Sequence, residues 1–152
     1  MRNRSTPHRF GVISVGYGGR RIGDFVSLLL DHGVRVLVDV RLSPRSRVPG
    51  FAGQSLARRL GEAGIAYRHE PELGNPEDNR EAMRSGDPTG TARFRTLLAH
   101  RGSIALGGLL ADAMKGPVAI LCAERDELRC HRKVVIEAVR QLDPSLPVTA
   151  IG

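Results

Sequence analysis

The sequence predicts an α/β fold: a single-domain, three-layer Rossmann-like architecture with a mainly parallel sheet of about five strands. Short apolar runs alternate with longer segments of helical periodicity, the pattern of βαβ units. The strand-like runs are nearly continuous in apolar character, as parallel strands covered on both faces are. At 152 residues, 41% hydrophobic and 26% charged, the chain is long enough for one core and ordinary for a globular domain. No repeat, linker or second domain is visible. Residues 1–152 therefore read as one α/β domain, with residues 1–9 a flexible basic tail.

The first strand is Phe10–Val15, followed by the glycine-rich turn Gly16-Tyr17-Gly18-Gly19. A helix over Ile22–His32 presents Phe25, Leu28 and Leu29 on one face; Asp24 sits in its first turn and Gly33 ends it. The second strand, Val34–Val40, is apolar but for Arg35 and Asp39. A basic loop from Arg41 to Gly53 leads to a helix over Ser55–Ala63, stopped at Gly64, and the third strand is Ile65–His69. Glu70–Thr91 holds Pro71, Gly74, Pro76, Gly86, Pro88 and Gly90 and reads as irregular; a loop this long in a compact domain is usually functional or mobile. Helices follow over Ala92–His100 and Ser103–Met114, then a fourth strand over Val118–Ala123 and a helix over His131–Leu142. A short fifth strand, Val148–Ile151, comes after the breakers Pro144 and Pro147. Right-handed crossovers place the second strand beside the first and the third beyond it. With the fourth on the other side of the first, the expected order is 3-2-1-4-5. The switch point then lies between strands 1 and 4, where such folds bind ligands.

Charge is distributed unevenly. The formal charge is +7, yet residues 1–60 hold eleven arginines against three acids, while residues 61–152 hold twelve basic residues against thirteen acids. Only Lys115 and Lys133 are lysines. Arginine forks pair bidentately with phosphate, so the N-terminal half suits a polyanion. A GC-rich coding bias also favours arginine, but it explains the asymmetry between the halves less well. An aromatic content of 4% with no Trp argues against a base-stacking platform. Two cysteines are too few for a disulfide framework, which sets a cytoplasmic expectation. The start MRNRSTPHRF has no apolar signal core, and no run approaches the ~18 apolar residues of a membrane span. The expected partner is a nucleic acid or a phosphorylated small molecule, and not a membrane; the oligomeric state is not readable.

Chemistry concentrates in Leu121–Arg132, LCAERDELRCHR, the loop between the fourth strand and the helix after it. Both cysteines, one histidine, three acids and three arginines crowd there. Cys130 precedes His131 at a helix start, where the helix N-terminus and Arg129 and Arg132 favour a thiolate. Cys122 ends a buried strand and reads as the less reactive thiol. A phosphatase-type loop needs arginine six places after the cysteine; Leu128 stands there, so Cys122 fails that test. Seven residues between the cysteines is not a common zinc spacing. Cys122, Cys130 and His131 leave a fourth ligand missing that His69 would have to supply, so no metal is assigned. Inert thiols, a nucleophile or redox thiol, and a metal site all stay open.

Glu124, on the same loop, is placed for general base work, for gripping a ribose, or for an ion pair with Arg125 or Arg132. Asp39 ends the second strand, with a ligand role or a buried pair with Arg41 as its two readings. Gly16 to Gly19 suggest a phosphate cradle before a helix, although Arg21 stands where a dinucleotide fingerprint has its third glycine. Asp39 lies about twenty residues further on, where a ribose-binding acid belongs, so a nicotinamide or flavin is one option and the cofactor stays open. Arg41, Arg45 and Arg47 form an acid-free loop that can clamp phosphates.

With these motifs placed, the chain resembles the domain-of-unknown-function 488 family of small prokaryotic proteins. The matching pieces are SVGYGGR with Phe25 downstream, LVDVRLSPRSRVPGF, YRHEPELGN and LCAERDELRCHR, from Ser14 to about Arg132. Asn75, after Leu73-Gly74, departs from the small residue expected there. The resemblance implies an α/β domain with a site built from these segments, and no reaction.

The leading expectation is a cytosolic enzyme acting on a phosphate-bearing substrate, a nucleotide or a nucleic acid. Asp39, Glu124, Cys130 and His131 would carry the chemistry. Gly16, Tyr17, Gly18, Gly19, Arg41, Arg45, Arg47 and Arg132 would hold the anion, with Cys122 and His69 as further candidates. The alternatives are a non-catalytic nucleic-acid-binding module and a thiol-dependent redox or sulfur-transfer protein.

Overall fold

The computed structural model describes residues 11–151. The tail expected over residues 1–9, and the expected strand start at Phe10, lie outside the described residues. The elements run β1 (Val12–Gly16), α1 (Ile22–Asp31), β2 (Val36–Asp39), α2 (Gly53–Glu62), β3 (Ala66–His69), α3 (Arg80–Ser85), α4 (Pro88–Arg101), α5 (Ser103–Ala113), β4 (Val118–Cys122), α6 (Arg132–Leu142) and β5 (Val148–Ile151). Short 3-10 turns occupy Pro71–Leu73, Glu77–Asn79 and Glu127–Arg129. The α/β class and the parallel five-stranded sheet agree with the sequence reading.

The strand order is β3-β2-β4-β1-β5, which corrects the expected 3-2-1-4-5. β4 lies between β2 and β1 and pairs with both, Val118 meeting Val12 on one side and Val36 on the other. The connection through α1 therefore skips a strand position. β1 and β4 are both buried along their whole length, so their apolar pattern demands interior positions but does not rank them.

Alternation along the strands sorts side chains into two cores. Ile13, Val15, Leu37, Ala119 and Leu121 face α1 and α2, where Phe25, Leu29, Leu56 and Leu60 are fully buried. Val12, Val38, Val118, Ile120 and Cys122 face the other layer, with Phe94, Leu98, Leu109, Val135 and Val139.

The segment Glu70–Thr91 is less irregular than expected. It contains α3, and α4 starts inside it at Pro88. Asp87 caps α4 by accepting from Thr89 N at 2.9 Å, with Pro88 as the first helical residue, a start signal of capping acid and preorganised proline. Buried Asn79 donates to Asn75 Oδ1 at 2.9 Å and to the Gly90 carbonyl at 3.0 Å, closing the segment on itself.

Beyond the strand ends, Tyr17 N and Gly18 N donate to the carbonyls of Cys122 and Ala123 at 3.1 and 2.9 Å, so the β1–β4 pairing continues into both loops. This approach requires glycine at position 16, where a Cβ would lie 2.0 Å from the Glu124 carbonyl oxygen. Gly16→Ala is expected to destabilise the protein by about 2–3 kcal/mol. Gly107→Ala, at an exposed position inside α5 with open space around it, is expected to stabilise by about 1 kcal/mol. Urea denaturation of the two variants checks both signs; equal midpoints would remove the close-approach argument.

Candidate functional site

The carboxyl ends of β1, β2 and β4 lie side by side, Gly16 opposite Cys122 and Asp39 opposite Leu121. The glycine turn, the end of β2 and the loop after β4 thereby border one cleft of about 790 Å³. Among the described residues, seven arginines line it, Arg41, Arg45, Arg47, Arg80, Arg84, Arg125 and Arg129, against one carboxylate, Glu124. Arg84 is engaged with Glu81 at 3.3 Å and Arg129 with Asp126 at 3.4 Å. Among the described residues, Arg45, Arg47, Arg80 and Arg125 have no carboxylate within ion-pair distance.

Asp39 supports this cleft from behind. It is fully buried and points toward the α1–α2 layer. Oδ1 accepts from Arg41 N at 3.1 Å and Arg41 Nε at 2.8 Å; Oδ2 accepts from Arg41 Nη2 and from the Tyr67 hydroxyl, both at 2.6 Å. Arg41 also donates to the Phe51 carbonyl at 2.8 Å. Burial alone would lower the Arg41 pKa, but its bonds to Asp39 offset this and raise it. Burial and the Asp39 bond likewise raise the Tyr67 pKa, so its hydroxyl stays protonated and donates. Tyr17 stacks on Phe51 with centroids 4.4 Å apart, and its hydroxyl donates to Ser46 Oγ at 3.0 Å, anchoring the basic loop that carries Arg45 and Arg47.

The other expected residues fall into distinct places. Tyr17, Gly18 and Gly19 line the cleft and Gly16 does not; the N–H groups of Tyr17 and Gly18 are spent on the carbonyls of Cys122, the last residue of β4, and Ala123, and are not directed at a ligand. Glu124 borders the cleft, and its Oε1 accepts from Asp126 N at 3.1 Å. His69 lies outside the cleft, bonded through Nε2 to the Arg41 carbonyl at 2.7 Å. Arg132 also lies outside it. Fully buried, it donates to Ser14 Oγ at 3.1 Å, to Cys130 Sγ at 3.3 Å and to the carbonyls of Glu124 and Arg125. Desolvation lowers its pKa to about 10, with Glu127, Glu124 and Asp126 acting the other way, and it remains charged at neutral pH.

Cys122, Cys130 and His131 form the floor of the cleft. The two sulfur atoms are in direct contact. His131 Nε2 lies 2.7 Å from the Val40 carbonyl, which can only accept, so Nε2 carries the proton and Nδ1 presents its lone pair 3.6 Å from Cys130 Sγ. Burial pushes the His131 pKa down to about 4, against the opposing bond to Val40, so the ring is neutral at neutral pH.

The family described as domain of unknown function DUF488 matches residues 21–139. The chain belongs to this family. No curated protein and no solved structure matches this chain. The DUF488 match spans every cleft-lining segment except the glycine turn.

Sequence reasoning missed Arg80, Arg84 and Arg125 as cleft residues. The first two sit on α3, inside the segment read as irregular. Arg125 lies in the loop that the cysteines mark, where helix-start geometry points only to Arg129 and Arg132 as neighbours of the thiol.

Asp39→Asn is expected to cost about 3–5 kcal/mol, because it leaves a buried guanidinium without its counter-charge. The Asp39→Asn, Arg41→Met double variant should lose less than the sum of the two single variants. Chemical denaturation of all four proteins measures the coupling; strict additivity would mean that the pair is no brace.

Proposed function

We propose that this DUF488 protein is an enzyme acting on a phosphate-bearing substrate, a nucleotide or a nucleic acid, at the carboxyl end of its sheet. The observation that carries the reading is the ratio of seven arginines to one carboxylate around a single cleft. Arginine forks match phosphate geometry bidentately; Arg41, Arg84 and Arg129 already have carboxylate partners, and it is the other four, Arg45, Arg47, Arg80 and Arg125, whose mutual repulsion a bound anion would offset. Arg45, Arg47, Arg80 and Arg125 bind the phosphate groups. Glu124, the one lining carboxylate among the described residues, transfers the proton. Cys130 and His131 on the floor, with Cys122 beside them, meet the reacting end of the substrate. Asp39 acts indirectly by holding Arg41 and, through it, the basic loop. A cytoplasmic setting belongs to the same proposal.

The test uses pyrophosphate, ATP and a labelled single-stranded oligonucleotide, with binding followed across a salt series. Affinity should fall as salt rises. The Arg45→Ala, Arg47→Ala double variant should bind at least about tenfold more weakly and lower the salt slope by roughly two for a two-phosphate contact. Both arginines are exposed, so the unfolding midpoint should not move. Glu124→Gln should keep binding and lose turnover of the bound compound, read by chromatography. Unchanged affinity in the arginine variant would remove the phosphate reading. Binding without turnover in the wild-type protein would make it a non-catalytic binding module.

A further inference from the structure

We propose that Cys122, Cys130 and His131, in the dithiol state, bind a thiophilic divalent metal ion of the Zn²⁺ class in a three-ligand site. Two sulfurs and Nδ1 of His131 lie within 4.8 Å of one another, and all three residues are buried. The Cys130 Sγ to His131 Nδ1 distance is 3.6 Å. Tetrahedral Zn²⁺ with ordinary Zn–S and Zn–N bonds has a sulfur–nitrogen edge of about 3.6 Å, so this edge is already the right length. The two Cα atoms are 7.8 Å apart. A covalent bridge takes about 4.4–6.8 Å, so the backbone spacing suits two sulfurs that share a central ion better than two joined to each other. Binding requires the sulfurs to separate to about 3.8 Å, the tetrahedral sulfur–sulfur edge.

The surrounding groups match what metal ligands need. The Val40 carbonyl holds the proton on Nε2 and so leaves Nδ1 free to coordinate, the usual outer partner of a metal-bound histidine. Arg132 donates to Cys130 Sγ from its backbone N at 3.5 Å and from Nε at 3.3 Å, which stabilises a bound thiolate. Zn²⁺ displaces the two thiol protons to solvent and forms two Zn–S bonds and one Zn–N bond, with no change of oxidation state. Two thiolates, one neutral imidazole and one divalent ion sum to zero charge. Because all three ligands line the cleft, the fourth position opens toward it. Three protein ligands with one open position is the pattern of catalytic, not structural, zinc.

The experiment titrates fully reduced, chelator-treated protein with Co²⁺ and then Zn²⁺ under exclusion of oxygen, with no phosphate ligand present. Its outcome is therefore separate from that of the phosphate reading. One equivalent of Co²⁺ should give thiolate-to-cobalt charge-transfer absorption and the visible bands of a tetrahedral ion, and Zn²⁺ should bleach both. Cys122→Ser and Cys130→Ser, close in size to the native side chains, should each weaken binding at least tenfold. His69→Ala, outside the triangle, should bind as the parent does. Bound Zn²⁺ should also protect both thiols from alkylation, a readout that needs no variant. Absence of charge-transfer absorption in protein with two titratable thiols would overturn the proposal, as would undiminished binding in either serine variant.

Discussion

The central position of β4 determines what meets what in this molecule. Hydrogen-bonded to β2 on one edge and β1 on the other, it delivers its following loop between two strand ends whose own loops turn toward the opposite layer. The loop therefore has the glycine turn on one side and the end of β2 on the other, and the cleft exists because these backbones meet. Gly16 is part of the same constraint. Any side chain there would collide with the Glu124 carbonyl and force apart the strand ends that β4 holds together.

Two buried arginines take up the charge problem this packing creates, in different ways. Arg41 has a full carboxylate partner in Asp39 and a third fixed bond to Phe51, so it acts as a brace under the basic loop. Arg132 has no direct carboxylate contact among its hydrogen bonds; it relies on a hydroxyl, two carbonyls and the Cys130 sulfur, and its lowered pKa records the cost of burial. A buried cation is stable only with anionic or strongly polar surroundings. That makes the chemical state of Cys130 matter to the stability of the whole corner, and it links the thiols to the fold and not only to the cleft.

Most of this architecture is legible in the residues. Apolar runs mark all five strands to within about two residues, and Gly33 ends α1 with a positive φ of 70° as its place after the helix suggests. The order of the two central strands is not legible, since Val12–Gly16 and Val118–Cys122 make the same demand for burial on both faces. The missed α3 is six residues long, too short to show periodicity, while the start of α4 was readable from Asp87 and Pro88. At the site, the loops that border the cleft follow from the rule that ligands sit at strand carboxyl ends. The direction of individual side chains does not. Asp39 and Arg132 carry the right chemistry for a ligand yet turn inward, because a pairing partner two residues away and a hydroxyl on β1 claim them.

The central claim is that one cleft collects the anion-binding groups. It is tested most directly by titrating isotopically labelled protein with pyrophosphate and following the backbone amide resonances. The expected result is a contiguous set of shifted amides at residues 17–19, 41–47, 80–84 and 122–131, moving with one shared affinity. Shifts confined to the exposed arginines of α2, or spread over the surface without saturation, would contradict it.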